Sequence, residues 1–157
     1  MKFTGVQALG FILTSLSATM AAPQHSPQVQ LVVDFLGTFV SADSSALSEL
    51  LTEDFLYIPL PRSLNQPQRN KADFVTFVQG FRSNFVTIES HVNQTTEQPG
   101  RVVTFIEATG ATVDGRNYNN QVMLTTDIQS VAGKLKISGA REFFDSLYTS
   151  QFLAGGQ

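Results

Sequence analysis

From residue 86 to residue 144 the chain carries four runs of β-type residues, and only three short interruptions separate them. The runs are 86–96, 101–113, 117–128 and 134–144, and the interruptions are Gln98-Pro99-Gly100, Asp114-Gly115 and Ala132-Gly133. Asp-Gly between two such runs is a strong hairpin signal, because both residues tolerate positive φ. Strands joined by tight turns pair antiparallel with their sequence neighbours. This half of the chain is therefore expected to form a hairpin-connected sheet, and one face of that sheet needs a cover.

The first half supplies the cover. Val29, Val32, Val33, Leu36, Phe39 and Val40 recur at helical spacing, which predicts an amphipathic helix over 27–41. Ser44 can cap a second, shorter helix whose apolar residues are Leu47, Leu50 and Leu51. Residues 55–59 read as a short strand ended by Pro59 and Pro61, and 63–69 as a loop. Asn70 followed by Asp73 looks like an N-cap with an acid at the third position. The helix it opens carries Phe74, Phe77, Val78, Phe81 and Phe85 on one stripe. A last short helix is expected over 148–152. Helices first and long antiparallel strands last mean an α+β fold: a curved antiparallel sheet, a cone-shaped half barrel, wrapped by three N-terminal helices around one central pocket.

The N-terminus reads as a leader. Lys2 precedes a mostly apolar run over 6–16, too short to span a bilayer comfortably. Thr19-Met20-Ala21 then places small residues for cleavage after Ala21. The expected organisation is a signal peptide over 1–21, a linker over 22–27, a pocket domain over 28–152 and a tail over 153–157, with a secreted product. The alternative for the first segment is an uncleaved helix or an interfacial anchor. Asn93-Gln94-Thr95 fits an N-glycosylation sequon, which would put Asn93 in solvent.

Composition narrows the function classes. The net charge is −3 and the ten Lys and Arg are scattered, so nucleic-acid binding is not expected. There is no cysteine, which excludes disulfides, thiolate metal sites and a Cys nucleophile. Two His make a His-rich zinc site improbable, and His25 falls in the linker. Thirteen Phe and no Trp supply much apolar area without polar atoms that need partners. In a pocket fold they can fill the core or line a cavity for an apolar ligand.

Two stretches add a family resemblance to this element order. Tyr118-Asn119-Asn120-Gln121 opens the third long strand, where SnoaL-like proteins often carry Tyr-x-Asn-Glu; Gln121 stands in place of the acid. The stretch from Lys136-Ile137 to Glu142-Phe143-Phe144-Asp145 is similar to that family's ending. Over residues 28–150 the chain thus resembles the SnoaL-like polyketide cyclases of the nuclear-transport-factor-two-like superfamily. The resemblance implies an apolar small-molecule substrate, cofactor-free acid–base chemistry of the cyclase, isomerase or dehydratase type, and a homodimer through the open sheet face. It equally admits a non-catalytic secreted binder, because the fold hosts both.

Cofactor-free chemistry in an apolar pocket needs a carboxyl group with a raised pKa, and neutral donors around it. Six residues are candidates. Glu107 interrupts an apolar run and is either a pocket acid or an outward residue. Glu142 and Asp145 belong to the family-like ending; Asp145 could instead cap the last helix. Asn120 and Gln121 are strand neighbours, so one points in, and Asn120 is the candidate donor. Tyr57 could polarise a carbonyl or simply pack in the core. His91 could be a base, but it shares a face with Asn93 by period two, so an outward Asn93 argues against it. Ile58 and Leu124 stand where ketosteroid isomerases of the superfamily place their acids, which disfavours that dyad. The dehydratases' His pair has only His91 to draw on. The epoxide hydrolases' Asp-Arg-Asp arrangement is not placed on particular residues.

Overall fold

The computed structural model describes residues 25–155. The leader expected over 1–21 and the end of the tail lie outside the described residues. Within them the order is α1 (Pro27–Ser41), α2 (Ser44–Leu50), β1 (Leu51–Leu60), a single 3₁₀ turn (Arg62–Leu64), β2 (Arg69–Asn70), α3 (Lys71–Arg82), β3 (Phe85–Gln98), β4 (Arg101–Thr112), β5 (Asn117–Val131), β6 (Lys134–Phe144) and α4 (Ser146–Leu153). No described helix is long and apolar enough to cross a membrane.

The six strands form one sheet in the order β2-β1-β6-β5-β4-β3. Strands β3 to β6 are the expected antiparallel meander. The sheet as a whole is mixed rather than antiparallel, because β1 joins β6 in parallel. A parallel neighbour needs a long crossover. The stretch from α3 through β5 provides it, so no tight turn dictates the direction of β1. Bulges interrupt the pairing in β1, twice in β3, and between Asp127 and Ile128. Such bulges bend a sheet and increase its twist. At the Ala132-Gly133 turn both residues have positive φ (50° and 78°), as a two-residue type I′ hairpin requires.

Local chemistry explains the departures from the sequence reading. Asp43, not Ser44, caps α2: its carboxylate accepts from Ala46 N–H at 2.9 Å. Leu51 leaves the helix and starts β1, which is longer than expected. Pro59 lies inside β1 instead of ending it. Beyond Leu56 and Tyr57 that strand has no partner on the β2 side, so the missing N–H is not needed there. Gly110 permits the close approach of β3, since a Cβ there would collide with the Thr87 carbonyl oxygen.

The helices cover one face of the sheet. The main core joins Leu31, Val32 and Phe35 of α1, Leu47 of α2, Phe74 and Val78 of α3, and inward residues of β1, β4, β5 and β6. A smaller cluster of Phe85, Ile88 and Tyr118 continues it toward α4, with Tyr148 and Phe152 packed on it. The other sheet face is open and carries Phe105, Met123 and Phe143 in one cross-strand row.

Candidate functional site

Period-two alternation decides which strand residues reach the space under the helices. On β5 the inward set is Tyr118, Asn120, Val122 and Leu124; on β6 it is Ala140, Glu142 and Phe144; on β1 it is Tyr57 and Pro59. Two neighbouring chambers that share wall residues result. The inner one, about 70 Å³, is walled by Phe35, Phe39, Ile106, Val122 and Leu124, with Glu142 on its wall. The outer one, about 390 Å³, is bounded by Arg69, Asn120, Thr149 and Phe152 among others. Tyr57, Phe77, Phe81, Tyr118 and Phe144 line both. The outer volume lies within the usual range of small-molecule sites.

Glu142 is the carboxylic acid of the inner chamber. Because β1 and β6 run side by side with Pro59 opposite Glu142, the Tyr57 hydroxyl donates to Glu142 Oε2 at 2.6 Å. Among the described residues no other side chain bonds to this carboxylate. Burial disfavours its charged form and pushes its pKa up to about 7, against the opposing pull of the Tyr57 hydrogen bond. Glu142 is half-buried and lines the inner chamber. Tyr57 is itself 1% exposed. Burial first, then the neighbouring Glu142 charge, holds its hydroxyl well above the usual phenol range, so it stays a neutral donor.

Asn120 is also buried and also faces the cavity, but its role differs from the expected donor. Its Nδ2 donates to the Tyr118 hydroxyl (3.3 Å) and to Thr149 Oγ1 (3.0 Å). Its Oδ1 is buried without a protein partner. The acceptor left without a partner is enclosed by protein, behind the wall of the outer chamber. Burial raises the Tyr118 hydroxyl as well, against the hydrogen bond from Asn120.

The other candidates are elsewhere. Glu107 is on the opposite sheet face, because Ile106 and Ala108 take the inward positions beside it. His91 sits across from Glu107 on that same outward face, exposed and 3.4 Å from Glu89. Asn93 is exposed at a bulge in β3. Asp145 is exposed and caps α4, accepting from Tyr148 N–H at 3.0 Å. An outward trio, Arg101–Asp127–Arg141, is tied by two ion pairs of 2.6 Å; it does not line either chamber.

Asp145 still matters to the site, because α4 brings Thr149 and Phe152 to the outer chamber. Asp145→Ala should cost about 1 kcal/mol through the lost cap. Faster amide hydrogen exchange confined to residues 146–153 would show it; unchanged exchange there would refute the capping account.

Arg69, Tyr118, Phe77 and Thr149 were not among the sequence candidates. Tyr118 had a signal, since it precedes the inward Asn120 by two. Arg69 had none: it lies in a polar segment, and only its pairing opposite Tyr57 brings it to the cavity.

Solved structures share this architecture. Similarity extends to AusH from Aspergillus nidulans, with 20% identity, TM-score 0.68, and coverage of 80% of this chain and 88% of that one. The BvnE pinacolase from Penicillium brevicompactum shares 22% identity at TM-score 0.70, over 82% and 95%. An LEH-like epoxide hydrolase from M. tuberculosis shares 16% at TM-score 0.65, over 85% and 94%. At these identities the likeness is one of fold. A comparison with curated protein sequences finds no match. Residues 32–136, more than half of the chain, match the family model of the SnoaL-like domain. With the cone-like α+β fold, the inward Tyr118–Asn120 pair and Glu142 at the cavity, the chain belongs to the SnoaL-like domain family.

Proposed function

We propose that the protein is a cofactor-free acid–base enzyme acting on an apolar, carbonyl-bearing natural product of the polyketide or terpenoid kind, with Glu142 as its proton carrier. The observation that carries this reading is the Glu142 carboxyl: on the wall of an apolar chamber, bonded to one buried hydroxyl, with a pKa near 7. A group poised there is partly protonated at neutral pH, so it can both accept and return a proton. Cyclisation and isomerisation need that exchange and no net redox change. The pinacolase and the epoxide hydrolase, by their names, are enzymes on this fold, which favours catalysis over ligand storage.

Tyr57 positions the carboxylate and lends its hydroxyl to the negative charge. Asn120, one strand away, holds Tyr118 and Thr149 at the wall of the outer chamber. The apolar walls exclude water and hold the chain of the substrate folded, which supplies part of the acceleration.

The test is the titration of Glu142 itself. In ¹³C NMR of Glu-labelled protein, one carboxyl resonance, absent from Glu142→Gln, should titrate near pH 7. A value near the ordinary 4.5 would sink the proposal. Stability should follow. The folded-state pKa lies above the unfolded one, so the folded protein binds more protons between about pH 4.5 and 7. The Glu142 contribution is therefore fully favourable below 4.5 and is lost as pH rises through 7. Denaturant melts of wild type minus Glu142→Gln should fall across that window, by on the order of 1–3 kcal/mol, and stay level above it.

A further inference from the structure

We infer that the outer chamber is a carboxylate site, with Arg69 as the residue that recognises an anionic group on an otherwise apolar ligand. This deepens the pocket reading above: it rests on the chamber as the ligand site, not on the titration of Glu142.

The geometry of Arg69 carries the inference. Its guanidinium lies 4.0 Å from the Phe77 ring centroid and 5.9 Å from that of Tyr57. Stacking on ring faces fixes the plane of the fork and leaves its N–H donors pointing sideways. One of them reaches the Pro67 carbonyl oxygen at 2.9 Å. The rest have no protein acceptor among the described residues, and no carboxylate there pairs with this cation. A preorganised planar fork with vacant in-plane donors matches a carboxylate in bidentate fashion.

The second arginine at the chamber shows what a satisfied one looks like. Arg116 also stacks on an aromatic ring, Phe152, at 4.4 Å. It donates to Asp114 Oδ2 at 2.9 Å and to the Phe152 carbonyl at 2.7 Å. Asp114 is in turn held below the usual carboxylate range, first by its Thr112 hydrogen bond and then by Arg116. That charge is neutralised and committed to holding α4. Arg69 is the cation at the chamber left for a ligand, among the described residues.

Position sets the ligand class. Arg69 touches the outer chamber only, Glu142 the inner one only, and Tyr57 joins them. A ligand spanning both would place its carboxylate at the mouth and its apolar, reacting part inside. An apolar chamber without a cation would reject such an acid, because burying an unpaired carboxylate is costly. It would prefer a neutral ketone of the same shape.

The experiment compares 2-naphthoate with 2-acetylnaphthalene, two probes of nearly equal size, by titration calorimetry on the full chain at about pH 6, where the acid is ionised. Wild type should bind 2-naphthoate at least tenfold more tightly than the ketone. Arg69→Met should abolish or invert that preference while keeping ketone affinity within a few-fold, which also reports that its chamber is intact. Arg69→Lys should keep part of the preference, as a point charge without the fork. A wild-type preference for the ketone, or an undiminished acid preference in Arg69→Met, would overturn the inference. Glu142→Gln should retain the acid preference; failure of the acid–base reading therefore leaves this result standing, and the reverse holds too.

Discussion

Glu142→Gln is expected to slow deuterium exchange into the α-position of an enolisable ketone probe such as 2-tetralone by about 10²- to 10⁴-fold, the usual contribution of a positioned acid–base residue. Probe affinity should change only a few-fold, because Gln keeps the size of the side chain and still offers an oxygen to the Tyr57 hydroxyl. The physical cause is the loss of the one group in the inner chamber that can change protonation near neutral pH. Tyr57 cannot replace it, since burial and the adjacent carboxylate hold its proton on. In wild type the exchange rate should rise with pH and level off above about 7, as the base form fills. Equal exchange in Glu142→Gln and wild type, measured by proton NMR, would remove Glu142 from the mechanism. Absence of exchange in wild type across a panel of apolar ketones would favour a ligand-binding protein instead.

Phe74→Ala is expected to cost about 3–5 kcal/mol of folding stability, the range for truncating a buried Phe. Phe74 is fully buried and central to the aromatic cluster. Its ring packs against Phe35 and Phe39 of α1, Phe55 and Tyr57 of β1 and Phe77 of α3, with centroids 4.7–6.2 Å away. Those contacts tie the two main helices to the strand that carries Tyr57. The cavity left by Ala cannot close without moving one of those elements. Denaturant unfolding should show a lower midpoint with a similar slope, and loosening of Tyr57 should move the Glu142 titration further up, because the hydrogen bond that opposes the effect of burial is weakened. A cost under about 1 kcal/mol would mean that the rings repack freely and that the cluster does not set the geometry of the site.

Particular elements show how far the sequence reading reached. The four long strands were legible because alternation and turn residues are local signals, and Asp-Gly and Ala-Gly stood where the chain reverses. The start of α3 was legible because Asn70 and Asp73 act within one turn; the Asn70 side chain does accept from Asp73 N–H. The buried stripe of α1 was legible only in part. Leu31 and Phe35 take the core while Val40 is exposed, since the rotation of a helix with apolar residues on several sides is set by its partners, here Phe74 above all. The direction of β1 was hidden for the same kind of reason, as nothing near residues 51–60 records which edge of the sheet it will join.

The candidate site divides along that line. Sequence alone determined that a sheet with one covered face would exist, that few polar residues could reach under it, and that Glu142, Asn120 and Tyr57 were among those that could. Alternation made Glu107 a choice between two faces, and only the register of β4 against β5 turned it outward, together with His91. The meeting of Tyr57 with Glu142, eighty-five residues apart, and the arrival of Arg69 over Phe77 were decided by tertiary structure. Local patterns fix which way a side chain points within its own element. Which groups share a chamber, and hence which pKa is moved and which cation is left free, depends on strand order and helix docking, and these are settled by the packing of the whole core.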